Sequence, residues 1–163
     1  MGCDIHLYTE TKRTKNGEEY WWCADYFTLN PYYHDEAFED EKEYECNELW
    51  GGRNYDVFTA LAGVRNTGVE MIDKPRGLPD DVSEVIKKFA EEYAQDGHSH
   101  SWLTAEELLK YDKRNPGIIT YLVKAVKKRM REVFNFSEFF DGSRKDFYKK
   151  YGEQFRIVFW FDN

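Results

Sequence analysis

The chain has 163 residues, enough for one domain with a sizeable core. Aromatic residues make up 18%, so a mean hydropathy of -0.81 points to a compact core under a charged surface rather than to disorder. A formal charge of -8 argues against a generic nucleic-acid-binding protein, which needs a basic face.

No apolar run reaches the roughly 18 residues of a membrane span, and the first residues read as strand rather than as signal peptide. Three scattered cysteines, Cys3, Cys23 and Cys46, suit reduced thiols in a cytoplasm better than a disulfide framework or a thiolate zinc site.

Residues 3–14 alternate as a strand, with Cys3, Ile5 and Leu7 on one face and Asp4, His6, Tyr8 and Glu10 on the other. Asn16-Gly17 supplies the positive φ angles of a tight hairpin turn, and a second strand follows over 18–27. Residues 28–52 read as an irregular surface insertion rich in carboxylates between 36 and 45. Asn54 is placed to cap a short helix whose stripe is Val57, Phe58, Leu61, Ala62 and Val64. Arg65-Asn66 then stand at the helix exit, and Val69–Ile72 reads as a short strand.

Pro75-Arg76-Gly77-Leu78-Pro79 breaks any helix and forms a stiff loop displaying Arg76. An amphipathic helix opening at Asp80 or Asp81 carries Val82, Val85, Ile86, Phe89 and Tyr93 on one stripe and stops at Asp96-Gly97. The loop His98-Ser99-His100-Ser101-Trp102 follows, and Thr104 with Glu107 spells a capping box for a helix through Asp112. Asn115-Pro116 opens a further helix, with Ile119, Leu122, Val123, Val126 and Met130 inward and a row of lysines and arginines outward as a solvated face. Gln154 to Asp162 alternates with both faces apolar, an interior strand expected to pair with the first. The expected fold is a single α+β domain: a small, mainly antiparallel sheet packed with about four helices.

Two polar clusters carry the functional expectation. His98 and His100 in one extended segment would point the same way, roughly 7 Å apart. The run Asp96-Gly97-His98-Ser99-His100-Ser101 matches the opening signature of metal-dependent phosphoesterases of the polymerase-and-histidinol-phosphatase type. No histidine follows Trp102, however, so the later ligands of such enzymes are missing. A different metal set, Asp4, His6, His98 and His100, has the composition for zinc or manganese. Arg53, Arg65 and Arg76 stand beside Asn, Gly or Pro at loop and helix ends, where guanidinium forks suit phosphate or carboxylate, or staple loops to nearby aspartates.

The motifs Met1-Gly2-Cys3-Asp4-Ile5-His6, Arg53-Asn54-Tyr55-Asp56-Val57-Phe58, Pro75-Arg76-Gly77-Leu78-Pro79, Asp96 through Leu103 and the terminal Arg156 to Asn163 together resemble a family of small phage and bacterial proteins with no settled activity. The resemblance implies a phage or prophage setting, in which accessory proteins of this size bind or destroy host metabolites. The leading expectation is a pocket for a small anionic, nucleotide-like ligand. Arg53, Asn54, Arg65, Asn66 and Arg76 would meet its phosphates, His98 and His100 would donate hydrogen bonds, and Trp102 would stack. An enzyme is the alternative, a metal-dependent hydrolase or one using Asp96, His98 and His100 for acid–base work. A third reading is an interaction protein that blocks a host protein through its acidic 35–45 segment.

Overall fold

The computed structural model describes residues 2–33, 42–136 and 141–163. Six strands and five helices are described: β1 (Asp4–Lys15), β2 (Glu18–Cys23), β3 (Tyr26–Leu29), β4 (Tyr44–Asn47), α1 (Tyr55–Ala62), α2 (Glu84–Tyr93), β5 (His98–Thr104), α3 (Ala105–Arg114), α4 (Thr120–Val133), α5 (Arg144–Tyr151) and β6 (Phe155–Asp162). The fold is α+β, as the periodicities imply. Its main sheet is antiparallel in the order β2-β1-β6-β5, and β3 with β4 forms a separate two-stranded ribbon.

The C-terminal strand does pair with the N-terminal one, from Asp4 opposite Asp162 to Thr11 opposite Phe155. That interior position explains why β6 is apolar on both faces. One face, bearing Ile5, Leu7, Phe159 and Phe161, meets α1, α3, α4 and α5 in the larger core. The other, bearing Tyr8, Val158 and Trp160, is covered by Ile86 and Ala90 of α2, with Phe89, Tyr93 and Trp102 around them. Each fully buried large apolar side chain there contributes about 1.5–3 kcal/mol.

Two buried ion pairs tie the covering elements to the sheet. Arg156 meets Glu10 at 2.7 Å, and its other arm reaches Asp81 at 3.0 Å. Asp25 turns inward to accept hydrogen bonds from the Thr9 backbone N–H and hydroxyl, with Arg129 at 3.3 Å.

The second pair explains a departure from the expected second strand. Ala24 still donates to the Thr9 carbonyl at 2.8 Å, but the inward turn of Asp25 ends the pairing there, and β3 leaves to pair with β4, a strand too short to read from sequence. The first pair explains another. Asp81 is held by Arg156, and α2 starts after Ser83 rather than at Asp80 or Asp81. Residues 69–72 are not a strand; their anchors are single hydrogen bonds, such as Ile72 N–H to the Ala60 carbonyl. Asn115 caps the end of α3, and α4 begins only at Thr120 because Gly117 sits at φ 96° in the turn between them. The Asn54 cap and the Thr104–Glu107 capping box are present as read. Of the acidic 35–45 segment, residues 35–41 lie outside the described residues.

Candidate functional site

The histidine stretch is strand rather than loop, and a β-bulge organises it. His98 stands opposite Phe161 and Ser101 opposite Phe159, so Ser99 and His100 together face the single residue Trp160. Ser99 takes φ 53°, a left-handed conformation uncommon outside glycine, to accommodate the extra residue. The bulge breaks the two-residue alternation. His98 packs on Phe161, 6.1 Å between ring centroids, whereas His100 packs on Trp160 at 5.7 Å. Phe161 belongs to the larger core and Trp160 to the core beneath α2, so the two imidazoles turn to opposite faces instead of sharing one.

Across the sheet, β1 brings His6 directly opposite Trp160, so His6, Trp160 and His100 form a row over β1, β6 and β5. Tyr93 leans on His6 from the end of α2, at 4.0 Å between centroids. His6 Nδ1 lies 3.7 Å from Glu48 and Nε2 3.3 Å from Asp162. Burial alone would lower the His6 pKa, but the nearby carboxylates Glu48 and Asp162 together raise it above the ordinary histidine value. Among the described residues His100 has no such partner. Burial, helped by the neighbouring His98, lowers its pKa. One imidazole of the row is therefore biased towards its protonated form and the other towards its neutral form.

Two of the three expected arginines gather at the same end of the sheet. Arg53 grips Asp4 with both arms of its fork, at 2.6 and 2.8 Å, and the fork packs against Gly2 so closely that a Cβ there would stand 2.6 Å from it. The Arg53 hydrogen bond holds the Asp4 carboxyl below its usual range. Arg65 donates to the Gly2 carbonyl and to Asn163 Oδ1, each at 3.3 Å, and lies over the Tyr55 ring. Its backbone sits at φ 60°.

Unpaired buried polar atoms concentrate in this region. Among the described residues four such side-chain atoms occur; His6 Nε2 and Trp160 Nε1 share the sheet face beneath α2, and His98 Nε2 lies at the same end on the other face. His6 Nε2 is near Asp162 but out of line for a hydrogen bond. An unpaired buried N–H costs on the order of 1–3 kcal/mol, so the Trp160 indole N–H needs a physical explanation. The left-handed residues Arg65, Ala94 and Ser99 stand around the same region, and sparsely populated conformations of this kind cluster where a ligand is held.

The other expected site residues do not join. Arg76 is a staple: its guanidinium is held by Glu107, Asp73 and the Trp102 carbonyl, and it covers the Trp102 ring at 4.8 Å. Arg156 stands 5.5 Å from the Trp102 ring as well, so two guanidinium groups occupy the ring that was expected to stack on a ligand. Asn54 is committed to its helix cap, Asn66 accepts from the Gly68 N–H in a turn, and the Asp96 side chain is exposed. Asp4, His6, His98 and His100 do not form one coordination sphere. Among the described residues no three His, Cys, Asp or Glu side chains are grouped to hold a metal ion.

Trp160, Tyr93, Glu48 and Asp162 were not identified in advance. Trp160 and Asp162 fall on the same strand face as His6 once β1 and β6 are paired in register, so strand pairing is the signal that exposes them. Glu48 arrives from beyond the β3–β4 ribbon, for which the sequence offers no comparable pattern. No protein-family model matches the chain, and no curated protein or solved structure shows significant similarity to it.

Proposed function

We propose that the protein binds a small anionic, nucleotide-like ligand at the end of the sheet where β1 begins, β6 ends and β5 begins. The observation that carries this reading is the buried Trp160 Nε1, without a hydrogen-bond partner among the described residues, on the same sheet face as His6, whose Nε2 also lacks a hydrogen bond there. An indole nitrogen only donates, and a histidine nitrogen donates when it carries the proton, so the set suits a ligand rich in acceptors. Arg53 and Arg65 supply cations beside it. The Arg53–Asp4 pair is about half exposed, so it contributes little to stability and can be exchanged for a phosphate. A phage setting, a bacterial cytoplasm and a host nucleotide signal as ligand belong to the same proposal.

Calorimetric titration with nucleotides and cyclic dinucleotides tests it. Saturable binding that weakens at least tenfold in Arg53→Ala is the expected result; no binding, or equal binding by the variant, contradicts it.

The opposed shifts of His6 and His100 favour a second reading, hydrolysis without metal. Neutral His100 would take a proton from water while protonated His6 gives one to the leaving oxygen. Such an activity would give a bell-shaped pH profile whose acid limb follows His100 and alkaline limb His6. A profile unchanged in His6→Gln would contradict it.

A further inference from the structure

On the opposite side of the sheet, α3, α4 and α5 enclose a groove of about 980 Å³. Lys110 and Lys113 come from α3, Lys127 and Arg131 from α4, and Lys145 and Lys149 from α5, with Arg144 a seventh cation at its rim. Among the described lining residues only Glu106 and Asp112 oppose them, so these residues carry a formal +5 while the remainder of a chain of net charge -8 carries -13. Within the described residues Lys110 is paired with Glu106 at 3.0 Å, whereas Lys113, Lys127, Lys145 and Lys149 have no carboxylate partner. Asp112 is drawn to the Thr120 hydroxyl at 2.6 Å. Arg131 is fixed by its hydrogen bond to the Tyr148 hydroxyl, and Lys127 rests over the Tyr148 ring at 5.2 Å.

Like charges placed together repel one another, and three packed helices hold these together on an otherwise acidic molecule. We infer that this groove is a second binding site, for a compact ligand carrying several phosphates. The cations are mostly lysines, which act on phosphate as point charges and need no fixed bidentate geometry. The groove lies at the upper end of the size range of small-ligand pockets, about 300–1,000 Å³. A long polyanion would overhang the acidic remainder of the surface, so the occupant is a small molecule rather than a nucleic-acid strand. The groove shares no residue with the sheet end described above, and the inference does not rest on the function proposed there.

Inorganic tripolyphosphate and orthophosphate are the probes, titrated calorimetrically into the wild type, into a Lys113→Gln, Lys127→Gln, Lys149→Gln variant and into Lys15→Gln. Tripolyphosphate is expected to bind more tightly than orthophosphate and to weaken as salt shortens the range of the charges. The triple variant should lose at least tenfold in affinity with an unchanged circular dichroism spectrum, while Lys15→Gln, at the exposed hairpin end of β1, binds tripolyphosphate like the wild type. Absence of saturable tripolyphosphate binding at low salt overturns the inference, as does equal affinity in the triple variant. So does binding of an oligothymidylate or an acidic peptide in the groove when tripolyphosphate does not bind.

Discussion

Replacing Trp160 with phenylalanine separates a nitrogen kept for a ligand from one that merely completes the core. The indole is fully buried between Tyr8, His100, Tyr93 and His6, with centroid distances of 5.2, 5.7, 5.9 and 6.1 Å. Exchanging the bicyclic indole for a single phenyl ring opens a small cavity that costs about 1–2 kcal/mol, less than the 3–5 of a full truncation to alanine. The same change deletes an N–H without a partner among the described residues, relieving about 1–3 kcal/mol. The two terms nearly cancel, so urea unfolding of the ligand-free variant should give a stability within about 1 kcal/mol of the wild type. Tyr111→Phe is the contrasting control. Its hydroxyl donates to the Glu70 carbonyl at 2.5 Å, and its loss should cost about 1 kcal/mol. Ligand affinity should fall at least tenfold in Trp160→Phe, because a hydrogen bond to a charged acceptor contributes about 1.5–3 kcal/mol. A loss above about 3 kcal/mol in the ligand-free variant, or unchanged affinity, would refute the reasoning.

Glu10→Ala strands Arg156 in the core with only the exposed Asp81 as partner, and should cost about 3–5 kcal/mol in the same assay. Adding Arg156→Met should recover a large part of that loss. Arg76→Ala removes the staple joining Asp73, Glu107 and the Trp102 carbonyl; about 1–3 kcal/mol of stability should disappear without a change in ligand affinity. The two histidines give opposite pH dependences. The raised pKa of His6 means that its contribution is complete below 6.5 and is lost as pH rises through the folded-state value. The lowered pKa of His100 means that its contribution is present above 6.5 and is lost as pH falls through the folded-state value. Stability measured from pH 5 to 8 should flatten on the alkaline side in His6→Gln and on the acid side in His100→Gln.

Much of the fold was legible because its signals are local. The hairpin at Asn16-Gly17, the Asn54 cap, the capping box of α3 and the alternation of β1 and β6 need only a few neighbouring residues. The misplaced boundaries share a different cause. Asp25 and Asp81 are decided by Arg129 and Arg156, more than 70 residues away, so no local pattern announces where β2 stops or α2 starts. At the site, sequence singled out His98 and His100 but could not supply the bulge at Ser99, because a bulge is defined by what stands on the partner strand. The arginines divide in the same way. Their loop positions drew notice, but whether a guanidinium staples or waits depends on carboxylates brought by other elements, Glu107 for Arg76 and Asp4 for Arg53.

The Trp160 indole N–H reports directly on the central claim, since it can be followed as one cross-peak in a nitrogen-15 correlation spectrum. Titration with a nucleotide that binds by calorimetry should move that peak saturably, with the same dissociation constant, and the titration should need at least tenfold more nucleotide in Arg53→Ala. A Trp160 peak that stays in place while the nucleotide saturates the protein would contradict the placement of the ligand at this end of the sheet.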